Sequence, residues 1–248
     1  MGRLNRLIVL TGFEPFADFK VNPSWEAAEA FDGKELDSFK VKSFKIPLKY
    51  REIKPTIEGI VGSQEPTALI SLGQSYRPVV SLEKVAVNFA DLTESNVLYN
   101  CGSRPKDEIL EPKAPVAYFA TLPIREILSK LRESAIPTEI SYDAGTFGCN
   151  QLFFHMMHKI HIDDLGIPAG FIHVPCLPSQ TVQLQEAKRG ILPSMELERI
   201  INAIAHERYC GEPRERTPAS SPDPSSRAGA RRRWIRPPPK VAPQRRPR

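Results

Sequence analysis

The sequence predicts an α/β fold, a largely parallel sheet covered by helices on both faces. Three observations predict it. Residues 7–11, 67–72 and 170–174 are short apolar runs of the kind that form strands buried on both sides. Segments with apolar residues at helical spacing lie between such runs. The composition over 248 residues, 41% hydrophobic and 25% charged, is that of an ordinary globular chain of one or two domains.

The elements follow in order. Residues 7–11 read as a buried-type strand, and Gly12-Phe-Glu-Pro-Phe16 as a loop. Asn22-Pro23 has the form of a helix cap and first turn, with Trp25, Ala28 and Phe31 following. Phe39, Val41, Phe44 and Ile46 mark a second strand with imperfect alternation. Residues 49–62 are helical in pattern, with Pro55 expected to kink them. The strand at 67–72 closes on Gly73, and 85–89 is strand-like. Residues 90–115 are irregular and polar, a long excursion or a ragged hairpin. Thr121 is read as the cap of a helix that has Pro123 near its start and Ile124, Ile127, Leu128 and Leu131 on its apolar face. A strand at 138–142 follows. Leu152, Phe153, Met156, Met157 and Ile160 then predict a helix beginning near Cys149. The strand at 170–174 and a helix over 195–208 complete the body.

The chain divides at about residue 210 into a single α/β domain, 1–210, and a tail, 211–248. The tail holds nine prolines and few large apolar residues, too little to bury itself, so it is expected to be disordered. Its ten Arg and one Lys against Glu212, Glu215 and Asp223 give it +8 of a net +5, leaving the body at −3. The basic cluster around Arg231 to Arg236 suits nucleic acid or an acidic surface; the plainer reading is an extension without function.

Composition excludes several classes. No apolar run approaches the ~20 residues that span a bilayer, and the run at 7–10 is too short for a signal peptide. Cys101, Cys149, Cys176 and Cys210 show no CxxC spacing, which argues against a disulfide framework or zinc site and for a reduced, cytoplasmic protein. His155 and His158 are an i, i+3 pair without a third ligand, so neither metal nor cofactor is expected.

The chemistry centres on Asp143-Ala-Gly-Thr-Phe-Gly-Cys-Asn150. Gly145 and Gly148 turn the chain sharply, and Cys149 falls in the first helical turn. Unpaired N–H groups and the helix dipole favour a thiolate there. A buried, inert cysteine at the start of a core helix is the bland alternative. A cysteine nucleophile needs a base. His173, in Ala169-Gly-Phe-Ile-His-Val-Pro175, is the best placed, although a histidine at a strand end can equally be structural. His158 and His161 should lie remote from the thiol. Glu83, ahead of Val85-Ala-Val-Asn-Phe89, is either functional or the solvated first residue of a strand; by its residues alone the solvated reading is preferred.

Three groups of residues resemble the pyrrolidone-carboxylate peptidases (pyroglutamyl peptidase I) of bacteria. They are Leu10-Thr-Gly-Phe-Glu-Pro-Phe16 with Val21-Asn-Pro-Ser-Trp-Glu26, Leu82-Glu-Lys-Val-Ala-Val-Asn88, and Ala144-Gly-Thr-Phe-Gly-Cys-Asn150 with Ala169-Gly-Phe-Ile-His-Val-Pro175. Pro178-Ser-Gln180 and Tyr118-Phe-Ala-Thr-Leu-Pro123 also fit, so the resemblance spans residues 7 to about 205. It implies a three-layer α/β/α sandwich and a cysteine omega-peptidase that removes N-terminal pyroglutamate from peptides through a thioester. It places the nucleophile at Cys149, the base at His173 and the orienting acid at Glu83. Phe13, Phe16 and Phe147 correspond to the aromatic wall of the lactam pocket, and Gln74 to a position near the site. It further implies a cytoplasmic homotetramer without metal.

The chain departs from the family pattern at four places. Asp91-Leu-Thr-Glu-Ser-Asn96 carries Thr93 where an arginine is usual, Gly148 stands where valine is commoner, Cys176 replaces an aromatic, and the tail has no counterpart. These departures keep two alternatives open: a divergent cysteine amidase acting on another small amide, and a weakly catalytic scaffold whose basic tail binds nucleic acid or a partner.

Overall fold

The computed structural model describes residues 6–36, 38–187, 190 and 192–205. The expectations for the tail, and for the helix beyond Ala205, lie outside these residues. In chain order the elements are β1 (Leu7–Phe13), α1 (Pro23–Glu29), β2 (Glu35–Leu36), β3 (Phe39–Ile46), α2 (Tyr50–Gln64), β4 (Ala68–Gln74), β5 (Val80–Glu83), β6 (Val85–Val87), β7 (Ala117–Phe119), α3 (Ile124–Glu133), β8 (Thr138–Ser141), α4 (Gly148–Ile162), β9 (Ala169–Val174), α5 (Pro178–Glu186) and α6 (Leu197–Ala205).

Seven strands form one sheet in the order β2-β3-β1-β4-β9-β5-β8, and β6 and β7 form a separate antiparallel pair. β3, β1, β4 and β9 run parallel. β5 lies antiparallel to β9 but parallel to β8, and β2 is antiparallel to β3. The sheet is therefore mixed and mostly parallel. The central strands β4 and β9 are buried at every residue, as their unbroken apolar runs require.

Side-chain alternation separates the two faces. Gly12 points at α1: a Cβ there would sit 2.3 Å from the Ser24 carbonyl oxygen. Its neighbour Thr11 points the other way, donating to Ser71 Oγ (2.8 Å), which in turn reaches Met156 Sδ on α4 (3.3 Å). Helices α1 and α6 pack together on the first face, and α2 and α4 on the second.

Local chemistry explains most element ends. The Asn22 side chain accepts from Ser24 N (3.1 Å) and caps α1, with Pro23 in its first turn. Pro55 lies inside α2 without ending it, and the helix stops at Glu65 in the left-handed conformation (φ 46°). Thr121 does not cap α3, where Pro123 holds the cap position without a side-chain bond. Its hydroxyl instead accepts from Ala169 N (2.8 Å) and donates to Ile167 O (3.0 Å), tying the α3 approach to the start of β9. Between 90 and 115 the chain returns on itself through an Ala90–Glu108 bridge, which fits the ragged-hairpin reading. Alternation did not announce the short β2 and β7, nor α5, whose first N–H groups are met partly by Gln180 Oε1 accepting from Leu177 N (2.9 Å).

Candidate active site

The candidate site lies on the sheet face covered by α4, where β4, β9 and β5 meet. Directly paired antiparallel residues share a face. Glu83 pairs with Phe171 and Ser81 with His173, so Glu83, Phe171 and His173 project together. Gly73 pairs with His173 from the other side. A Cβ on Gly73 would lie 2.8 Å from Cys149 Sγ and 2.6 Å from the Phe171 ring. Only a residue without a side chain leaves the thiol room beside the histidine.

His173 Nδ1 is 2.7 Å from Glu83 Oε1, and both side chains are buried. Burial of the imidazole acts to lower its pKa. The Cys149 thiolate and a hydrogen bond to it, together with the hydrogen bond and charge of Glu83, outweigh burial and raise it to about 9. The structure thus brings together the three residues expected from the sequence. β5 and β8 run against β9, and the residues converge on a sheet face across one antiparallel junction.

Cys149 is the second residue of α4. Phe147 precedes the helix in an extended conformation and gives no side-chain cap, so the first N–H groups have no capping partner. Gly145 takes φ +78° in the elbow, its N–H held by Asp143 Oδ1 at 2.8 Å. The next residue anchors the helix start: Asn150 Nδ2 donates to Val87 O (2.9 Å) and Phe89 O (3.0 Å), and its Oδ1 accepts from Val87 N (2.9 Å). Thr146 Oγ1 donates to Asp91 O (2.6 Å). The elbow is thereby fastened to the chain that follows Glu83.

The proposed wall residues are distributed as follows. Phe13, at the end of β1, is buried on the Cys149 face. Phe16 packs edge-on against Phe19 (5.8 Å between centroids). Phe147 leans on Tyr99 (4.6 Å), which donates to Gln151 Oε1 (3.0 Å). Gln74 leaves β4 on the opposite face from Gly73, donating to Cys176 Sγ (3.2 Å) and accepting from Gln180 Nε2 (3.0 Å). The space a valine would take at position 148 is filled from elsewhere. A Cβ there would meet Leu48 Cδ1 at 2.3 Å, with Tyr99 also close.

Arg77 was not singled out from the sequence. Its Nη1 donates to Glu83 Oε1 (2.9 Å) and Ser141 Oγ (2.8 Å), and its Nη2 to Asp143 O (2.8 Å). An arginine four residues past a glycine at a strand end gave no signal of this. The other described histidines stand apart. His158 Nδ1 bonds the Tyr118 hydroxyl (2.9 Å), and His155 is buried 3.6 Å from Glu111. Among the described residues, no group of three or more His, Cys, Asp or Glu could hold a metal. Cys101, Cys149 and Cys176 are free thiols.

The family model described as pyroglutamyl peptidase matches residues 6–208. The pyrrolidone-carboxylate peptidase of Bacillus cytotoxicus is 38% identical, over 80% of this chain and 89% of its own. A solved mutant pyrrolidone carboxyl peptidase from Pyrococcus furiosus is 34% identical, with a TM-score of 0.76 over 80% of this chain and 94% of that one. Pyroglutamyl peptidase I of Bacillus amyloliquefaciens is 32% identical, with a TM-score of 0.74 over 81% and 93%. The chain belongs to the pyroglutamyl peptidase family and is a cysteine peptidase.

Proposed function

We propose that this protein removes N-terminal pyroglutamyl residues from peptides, with Cys149 as nucleophile, His173 as general acid and base, and Glu83 as the orienting acid. One observation carries the reading: a buried imidazole bonded to Glu83 through Nδ1 at 2.7 Å, with Cys149 beside it on the same sheet face. Because Nδ1 is engaged, Nε2 is the nitrogen left for the thiol. Cys149 gives its proton to His173, and the thiolate attacks the pyroglutamyl carbonyl. N–H groups at the uncapped start of α4 hold the oxyanion. The imidazolium then protonates the departing amine as its bond to carbonyl carbon breaks, leaving a thioester. Water, losing a proton to His173, attacks the thioester and frees pyroglutamate and the thiol.

Pyroglutamate is a neutral five-membered lactam, so its pocket should be largely apolar with few hydrogen bonds, and needs no carboxylate to hold an ammonium. Phe13, Phe16 and Phe147 are proposed as its wall, with Gln74 supporting the site from behind β4 through Cys176 and Gln180. The reading extends to a cytoplasmic setting, in keeping with three free thiols, and to the homotetramer that the family resemblance implies. No helix among the described residues is long and apolar enough to cross a membrane.

The test is hydrolysis of a pyroglutamyl fluorogenic amide beside the prolyl amide of the same fluorophore. Turnover of the first alone, abolished by thiol alkylation, is expected. A folded protein that turns over neither substrate overturns the reading.

A pH profile gives a second expected outcome. The folded-state pKa of His173 is raised above its ordinary value, so the imidazolium survives neutrality and is lost as pH rises through about 9. The alkaline limb of kcat/KM should fall there. Glu83→Gln removes two of the raising influences and should move that limb to lower pH; a limb that stays in place would count against Glu83 as the partner of His173.

A further inference from the structure

Glu83 carries its charge in an unusual setting. It is fully buried, and its Oε2 has no hydrogen-bond partner among the described residues. Both of its contacts fall on Oε1, one from His173 Nδ1 at 2.7 Å and one from Arg77 Nη1 at 2.9 Å. An ionised carboxylate taken out of water is retained only when paired and hydrogen-bonded. The charged and titratable groups around it are Arg77 from the β4–β5 loop, His173 from β9, with Cys149 of α4 beyond it, and Glu139 of β8. Glu139 lies 3.9 Å from the guanidinium and is otherwise engaged by Ser81 Oγ (2.8 Å). Arg77 is thus the fixed cation of the cluster.

The same guanidinium reaches the elbow. It donates to Ser141 Oγ at the end of β8 and to Asp143 O at the first bend toward Cys149. A rigid planar fork suits such divergent contacts, which a lysine ammonium cannot all reproduce. We propose that Arg77 is a positioning residue of the peptidase, fixing the Glu83 carboxylate on His173 and holding the nucleophile elbow in register with it. The inference rests on the Glu83–Cys149–His173 reading, through which Arg77 acts.

The experiment compares Arg77→Met, Arg77→Lys, Glu83→Gln and the Arg77→Met/Glu83→Gln double variant in the full chain. Each is measured for kcat, KM, melting temperature and the pH dependence of Cys149 carbamidomethylation by iodoacetamide, with peptide mapping to separate Cys149 from the exposed Cys101. Arg77→Met should lower kcat by about tenfold to a hundredfold with KM little changed. Loss of the fixed cation frees the carboxylate to leave His173, so the acid limb of alkylation should move to higher pH. Arg77→Lys should restore the limb but only part of kcat. The double variant should lose clearly less than the product of the two single losses, since the arginine then has no carboxylate to orient and keeps only its elbow contacts. Losses that add in the double variant, or a kcat loss with an unmoved limb that follows the melting temperature, would overturn the proposal. The alkylation arm needs no substrate. A wild type without pyroglutamyl turnover would sink the peptidase reading while leaving the Arg77 comparison to be decided by the thiol.

Discussion

Cys149→Ser is expected to lose pyroglutamyl-amide hydrolysis by on the order of 10⁴–10⁶-fold while keeping its fold. The hydroxyl occupies nearly the same space, so the cavity against Gly73 and the rings around it is preserved. Serine is a far poorer nucleophile than a thiolate at neutral pH, and the imidazole beside it is set for a sulfur partner. The three residues should also behave as a unit. Once Cys149 is serine, adding His173→Ala should cost little more, because the base has nothing left to activate. Stopped assays with a pyroglutamyl amide, at enzyme concentrations high enough to see the residual rate, decide this. A serine variant retaining a tenth of the activity would mean that the nucleophile is elsewhere.

Gly73→Ala is the second large effect. A methyl group at this position would lie 2.8 Å from Cys149 Sγ, 2.6 Å from Phe171 Cζ and 2.9 Å from Phe171 Cε1. Neither neighbour can withdraw easily. The Phe171 ring is buried against Phe153 (5.8 Å) and His173 (5.0 Å), and Cys149 is fixed by the helix start. Overpacking of this kind costs about 1–3 kcal/mol of stability. Displacing the thiol by a fraction of an ångström to 1 Å should cost kcat/KM about 100-fold. The two consequences are separable. Denaturant titration reads the first, and the rate of Cys149 alkylation, compared with turnover, reads the second. An alanine variant with full activity would show that the thiol does not need the space above Gly73.

Much of this was open to reading in the chain itself. β1, β4 and β9 announce themselves because strands buried on both faces must be apolar throughout, and α4 because Leu152, Phe153, Met156, Met157 and Ile160 repeat at helical spacing. Asn22 and Pro23 mark a helix start by local hydrogen bonding alone. What stayed hidden depends on direction and distance. An apolar run carries no sign of whether it will pair parallel or antiparallel, so the reversal of β5 and β8 could not be read. Glu83 reads as a solvated strand end because what neutralises it comes from Arg77 across a loop and from His173 ninety positions away. Asn150 looks like an ordinary polar residue until its side chain is seen filling the donor and acceptor positions of β6. At position 148, where valine is commoner in the family, the space beside the glycine is taken by Leu48, a residue no local pattern connects to it.

The antiparallel seam between β9 and β5 has a consequence for how the protein would lose activity. Base and nucleophile belong to the middle of the molecule, on β9 and on the helix packed over it. The acid rides on β5, outside which, among the described residues, only the short strand β8 closes the sheet. Elements near an open sheet edge detach at lower free energy than interior ones. On heating, the edge pair should part from β9 while the rest of the sheet stays closed, and amide exchange at Leu82 and Glu83 should quicken before that at Ile70 or Ile172. The enzyme would then fall silent at a temperature where most of its secondary structure is still intact, and recover on cooling.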